Sequence, residues 1–213
     1  MSENRLIYLD HNATSPLRGV ARQALEHAFD GRIFSSDITV VNAAQMEKEW
    51  DDRYGAGSYD GSNGQAEGPD GPLEGFEDPD THQIFINKDN YAVDTVPHEI
   101  LHKHENGAVD AQMGERFNEG FTEYLTQKAV SGVGFTPSSS YPQELKITQT
   151  LANLIGDTAV ETAYFDGDVG AVKDTVDGAK GVGTFDETVD AMKNEDYGRA
   201  RNTLDSGVPA PVP

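Results

Sequence analysis

The chain contains no cysteine, which excludes disulfide cross-links and thiolate metal ligands and leaves His, Asp and Glu to hold any metal ion. A site of that composition is of the catalytic kind rather than a structural zinc knuckle. Basic residues are scarce as well: 16 Lys and Arg stand against 37 Asp and Glu, a formal charge of -21. Such a surface repels phosphate backbones, so neither nucleic acid nor an anionic membrane is an expected partner. Self-repulsion on this scale keeps a chain soluble, and it suits either a high-salt cytoplasm or a protein that is delivered out of the cell. No apolar run approaches the length that spans a bilayer. The opening MSENRLIYLDHNATSPL has neither the basic start nor the apolar stretch of a secretory signal. The expectation is a protein that is cytoplasmic as made, with any export following an injection or other non-classical route.

What is present divides into an early part with strand signals and a late part with helix signals. NRLIYLD, SDITVVNA and HQIFINKD read as short strands, the last placing Ile84 and Ile86 on one face and Phe85 on the other. SPLRGVARQALEHAF and AAQMEKEWDDRYG read as helices, the first begun by Ser15 and Pro16. Residues 55–80 change composition abruptly to Gly, Asp and Pro without periodicity, which is the signature of a loop. Downstream, helices are expected from Val96 to Glu105, from Ala111 to Val130, and over YPQELKITQTLANLIGD; TAVETAYF, VGAVKDTVDGA and FDETVDAMKNEDYGRARNTL continue the pattern. The fold class is therefore α+β, small N-terminal strands on a mostly helical body. It forms one domain over residues 1–205, ended by a proline-rich tail at 206–213.

The stretch TVPHEILHKHENG carries the chemistry. Residues four apart on a helix lie one above the other, so His98 and His102 can direct ring nitrogens at one ion. Glu99, one step round, can reach a water on that ion without binding it. Pro97 sits in the first helical turn, where its missing N–H costs nothing. His104 points about 200° away from His102 and cannot join the same ion. Downstream lies RFNEGFTEYLTQ, with sixteen residues separating His102 from Glu119; it brings Asn118-Glu119-Gly120-Phe121 and, one turn after Glu119, Glu123.

His98-Glu99-x-x-His102 followed by Asn118-Glu119-Gly120-Phe121 resembles the gluzincin metallopeptidases, the thermolysin-like and aminopeptidase N-like group. The resemblance covers roughly residues 82–165 and implies a zincin-like domain with Zn2+ held by His98, His102 and Glu119. It also implies that Glu99 is the general base. Glu123, at the offset where thermolysin-like enzymes carry an acidic residue, would accept a hydrogen bond from His98 or His102. Glu115 is in phase too, but is expected to face solvent. Tyr141, which opens a helix with the cadence of the aminopeptidase tyrosine motif, would donate to the developing oxyanion. There Glu144 replaces the family's glycine, and Tyr164 is the alternative donor. The motif that grips a substrate N-terminus, Gly-x-Met-Glu-Asn, is absent upstream. HQIFINKD stands where an edge strand beside the cleft would pair with an extended protein or peptide substrate, which suggests an endopeptidase. NEGFTEYLT is also similar to compact metallopeptidase domains of bacterial toxins, which would imply a delivery apparatus or an immunity protein as partner. The competing expectation is a non-catalytic, zinc-stabilised binding protein. A second likeness, of IYLDHNATSPL to the opening of cysteine desulfurases, covers about a dozen residues. It lacks the His-Lys context that those pyridoxal-phosphate enzymes need, so the stretch reads as a strand and a turn capped by Asn12 or Thr14.

Overall fold

A computed structural model describes residues 21, 24–25, 27–29, 38–56, 67–68, 71–72, 74–78, 80–87, 92, 94–134 and 136–207. The strand expected in NRLIYLD and the end of the proline-rich tail lie outside the described residues. Of the helix expected over 15–29, Ala21, Ala24, Leu25, His27 and Ala28 are described and are helical. The fold is α+β. The described residues up to 103, with 126–140, form one compact unit, and 104–125 with 141–207 form another; two of the divisions fall inside unbroken helices.

The first unit is built on a three-stranded sheet. Strand β1 (Ile38–Val41) leads into helix α1 (Ala43–Tyr54), and a two-residue ribbon, β2 (Glu67–Gly68) with β3 (Gly71–Pro72), precedes β4 (Gly75–Glu77) and β5 (Ile84–Asn87). The order is β1-β5-β4, with β1 parallel to β5 in the register Ile38↔Ile84 and β4 antiparallel to it in the register Phe76↔Phe85. The long connection from β1 through α1 is what a parallel pair requires. Two expectations need correction here. The end of the Gly/Asp-rich stretch is a strand, β4, rather than loop. HQIFINKD supplies the central strand, not an edge, and all four residues of β5 are buried. A strand paired on both sides has no ladder left to offer a substrate. The edge placement came from the family likeness, and alternation alone does not say how many strands pair with this one; β1 and β4 take both of its sides.

Phe85 is the aromatic side of that strand. It stacks on Phe76 at 4.9 Å, Trp50 meets Phe76 edge-on at 5.3 Å, and Val41 and Met46 complete the cluster. Met46 and Trp50 are four apart on α1, so one helical face delivers both. The helix starts at Asn42 with a capping box: Asn42 Oδ1 accepts from the Gln45 amide (2.9 Å) and Gln45 Oε1 accepts from the Asn42 amide (3.2 Å). Between β4 and β5 the chain turns around Asp78, which is buried. Asp78 accepts from the amides of Asp80 and Thr81 and pairs with the Arg53 guanidinium.

The second unit is helical: α3 (Ala108–Met113), the first part of α4 (Glu115–Gly132), α5 (Pro142–Ile155), α6 (Asp157–Glu161), a π-helical turn (Thr162–Asp166), α7 (Val169–Lys180), α8 (Thr184–Lys193) and α9 (Tyr197–Ser206). The single helix expected over Ala111–Val130 is two. Gly114, at φ +93, breaks the ladder and takes a backbone conformation that residues with a side chain rarely adopt. The last helical stretch is likewise divided at Glu195, where α9 restarts with the Asp196 carboxylate accepting from the Arg199 amide at 3.0 Å. Val172, Val176, Phe185, Met192, Ala200 and Leu204 line the interior of this half. Among the described residues no helix is long and apolar enough to cross a membrane.

Helix α2 (Thr95–His104) begins in the first unit, and the sheet comes very close to its start. A Cβ on Gly75 would lie 3.0 Å from Ile86 Cδ1, Phe85 O and Thr95 Cγ2 at once, and one of those atoms is backbone. Gly75→Ala should therefore lower stability by about 1–3 kcal/mol, the usual cost of overpacking. Thermal unfolding measures this, and an unchanged melting temperature would contradict the close approach.

Candidate metal centre

Helix α2 is buried from Thr95 through Leu101, including His98 (8% exposed) and Glu99 (7%). This excludes the bland alternative of a surface helix with a few exposed imidazoles. An ionisable carboxylate inside a helix buried on all sides is costly unless it is compensated, and such groups concentrate at functional sites. The helix entry is anchored in four ways. The Asp94 carbonyl accepts from the His98 amide at 3.0 Å. The Thr95 hydroxyl accepts from the Ala92 amide at 2.9 Å and donates to the Glu74 carboxylate. Glu74 also accepts from the Ala92 amide at 3.1 Å. The buried Asp94 carboxylate takes the Ser138 amide at 2.6 Å and its hydroxyl at 2.7 Å. These bonds fix the first turn of α2, from which His98 projects.

The two imidazoles face each other. His98 Nε2 and His102 Nε2 are 3.2 Å apart, the rings are 4.9 Å apart between centroids, and they are inclined at 67°. Two ligands at about 2.05 Å from a tetrahedral ion stand about 3.3 Å from each other, so this separation is that of an edge of a zinc coordination tetrahedron. A carboxylate oxygen of Glu119 joins them: one ligand atom from each of His98, His102 and Glu119 lies within 4.8 Å of the other two. Among the described residues this is the one group of three or more His, Asp or Glu side chains so arranged. The donor set, two imidazoles and a carboxylate with no thiolate, fits a zinc ion that keeps a position open.

The remaining expected residues fall as follows. Glu123, one turn after Glu119 on α4, is 3% exposed, so it is not the solvated helical glutamate that its surroundings in sequence would allow. Glu115 is exposed, as expected. His104 closes α2 and is half-buried. Tyr141 is the N-cap of α5, partly buried, and its side chain makes no capping hydrogen bond. Tyr164 is fully buried in the π-helical turn, its hydroxyl 2.7 Å from Thr122 Oγ1, and its role is in the core. Asn118 is buried, and among the described residues none donates a hydrogen bond to its Oδ1.

Two features were missed in the sequence. Asp94 and Glu74 act on α2, and only Asp94, placed just before Thr-x-Pro, carried a signal, that of a helix-entry residue. Glu144 is 5% exposed and accepts from the Tyr197 hydroxyl. Burial, reinforced by that bond, pushes the Tyr197 phenol well above its ordinary range. Set against known protein families, characterised proteins and solved structures, the chain matches none.

If Glu123 orients a ligand imidazole, Glu123→Ala should weaken zinc binding by about 10–100-fold while the protein remains folded. Competition against a chelator of known affinity measures this, and unchanged affinity would assign Glu123 to packing alone.

Proposed function

We propose that the protein is a zinc-dependent peptidase, with His98, His102 and Glu119 holding the ion and Glu99 acting as general base. The observation that carries this reading is the burial of Glu99 directly beside His98 in a two-histidine, one-glutamate cluster. A purely structural metal has no use for a buried carboxylate at that position. When bound, zinc would supply Lewis acidity, polarising a peptide carbonyl and lowering the pKa of a water toward about 7.

The chain's own groups do the rest. Glu99 takes a proton from the water whose oxygen adds to the peptide carbonyl carbon, and it delivers that proton to the nitrogen as the C–N bond breaks. Water's second proton ends on the product carboxyl group or in solvent. Tyr141 donates its hydroxyl hydrogen to the carbonyl oxygen as charge builds there. Glu123 accepts an N–H from His98 or His102 and holds that ring in one tautomer. The central position of β5 removes one support for endopeptidase action, so internal or terminal cleavage is read from products. The toxin-type likeness makes another cell's protein a candidate substrate.

The test uses two residues that do not ligate metal. Glu99→Gln keeps size and polarity but cannot accept the proton, so zinc content and fold should persist while cleavage of a peptide library disappears. Tyr141→Phe should lower kcat by about 10²–10³-fold with KM little changed. A zinc-loaded wild type that cuts nothing across the library, with Glu99→Gln keeping full biological effect, would instead make this a zinc-stabilised binding protein.

A further inference from the structure

Glu144 stands where the resembled family has glycine, and the structure shows what it touches. Its backbone carbonyl lies against α4 at Gly120, where a Cβ would come within 2.9 Å of Glu144 O and 2.5 Å of Thr148 Oγ1. Its side chain, 7% exposed, accepts from the Tyr197 hydroxyl of α9 and faces the Arg116 guanidinium at 3.8 Å. Arg116 is itself fixed by Glu195 at 2.6 Å. Thus one residue of α5 meets α4 at Arg116 and again at Gly120, the two positions that bracket Glu119.

We infer that Glu144 is the positioning residue for the Glu119 carboxylate. It locks the turn of α4 that bears this ligand, with Tyr197 and Glu195 supporting it from the C-terminal helices. The inference rests on the metal reading above but concerns different residues. Two physical reasons support it. A helix face held at Gly120 by a backbone contact and one turn earlier at Arg116 by a charge loses its freedom to rotate or slide. A buried carboxylate facing a guanidinium and a phenol also has partners for its lone pairs, so the arrangement is not offset by an unsatisfied charge. Glu144 is therefore an anchor that reaches α4 and α9 together.

The experiment is a double-mutant cycle on zinc affinity, measured by chelator competition on the full chain, with melting temperatures of the metal-free proteins in parallel. Glu144→Gln keeps shape and an acceptor for Tyr197 but loses the charge that faces Arg116. Tyr197→Phe keeps the ring and loses only the hydroxyl, and so serves where the first variant is too unstable. Each should lower zinc affinity about 10-fold or more in the wild type, the range of outer-contact losses around metal ligands. In a Glu119→Ala background each should change the residual affinity by less than about threefold. An equal loss in both backgrounds, or unchanged affinity in the wild-type background, overturns the inference. A wild type that binds no zinc overturns the metal reading itself, which is a different result.

Discussion

Everything at the candidate site depends on α2 being buried while carrying polar groups. Its residues from Thr95 to Leu101 are all shielded, yet two of them are His98 and Glu99. Burying an imidazole or a carboxylate without compensation costs several kcal/mol, which is comparable with the stability of a whole domain. A sequence retains such a helix only when the polar groups meet partners, and the ligand atoms of His98, His102 and Glu119 do converge. The anchoring of the first turn by Asp94, Thr95 and Glu74 follows from the same constraint.

Much of this was legible in the sequence because short-range rules decide it. The helical stretches of α1, α5 and α7 and the four-residue spacing of His98 and His102 are local features, and the structure repeats them. The cluster of Glu119 with the histidines came from a likeness between motifs, not from spacing. What failed was settled by tertiary context. The pattern of Ile84, Phe85 and Ile86 cannot say whether the aromatic face is covered, and Trp50 and Phe76 cover it. Nor does it say that β1 and β4 pair on both sides of this strand, which puts HQIFINKD at the centre of the sheet and not at an edge. The single long helix expected after Ala111 concealed a break that only the positive φ of Gly114 reveals. The strand at Gly75–Glu77 was hidden because its glycine, needed for close approach to Thr95, also looks like loop composition.

The glycines and carboxylates that looked like surplus in the composition divide into two kinds. Gly75 and Gly120 stand where a neighbouring backbone comes within contact distance, so they allow the elements around the site to pack closely. Asp78, Asp94, Glu99, Glu123 and Glu144 are buried. Asp78, Asp94 and Glu144 each have a hydrogen-bond donor in reach. The charge of -21 therefore arises partly from groups with internal tasks and not only from a solvated coat.

The central claim is that His98, His102 and Glu119 together bind one zinc ion. Elemental analysis of purified protein, dialysed against metal-free buffer after zinc loading, tests it most directly, with each of the three residues replaced by Ala in turn. The account predicts about one zinc per chain in the wild type and, in every variant, loss of that zinc on dialysis, the two remaining ligands leaving only a weak residual affinity. Full zinc occupancy in Glu119→Ala would contradict the ligand assignment, and a wild type that retains no zinc would contradict the metal centre altogether.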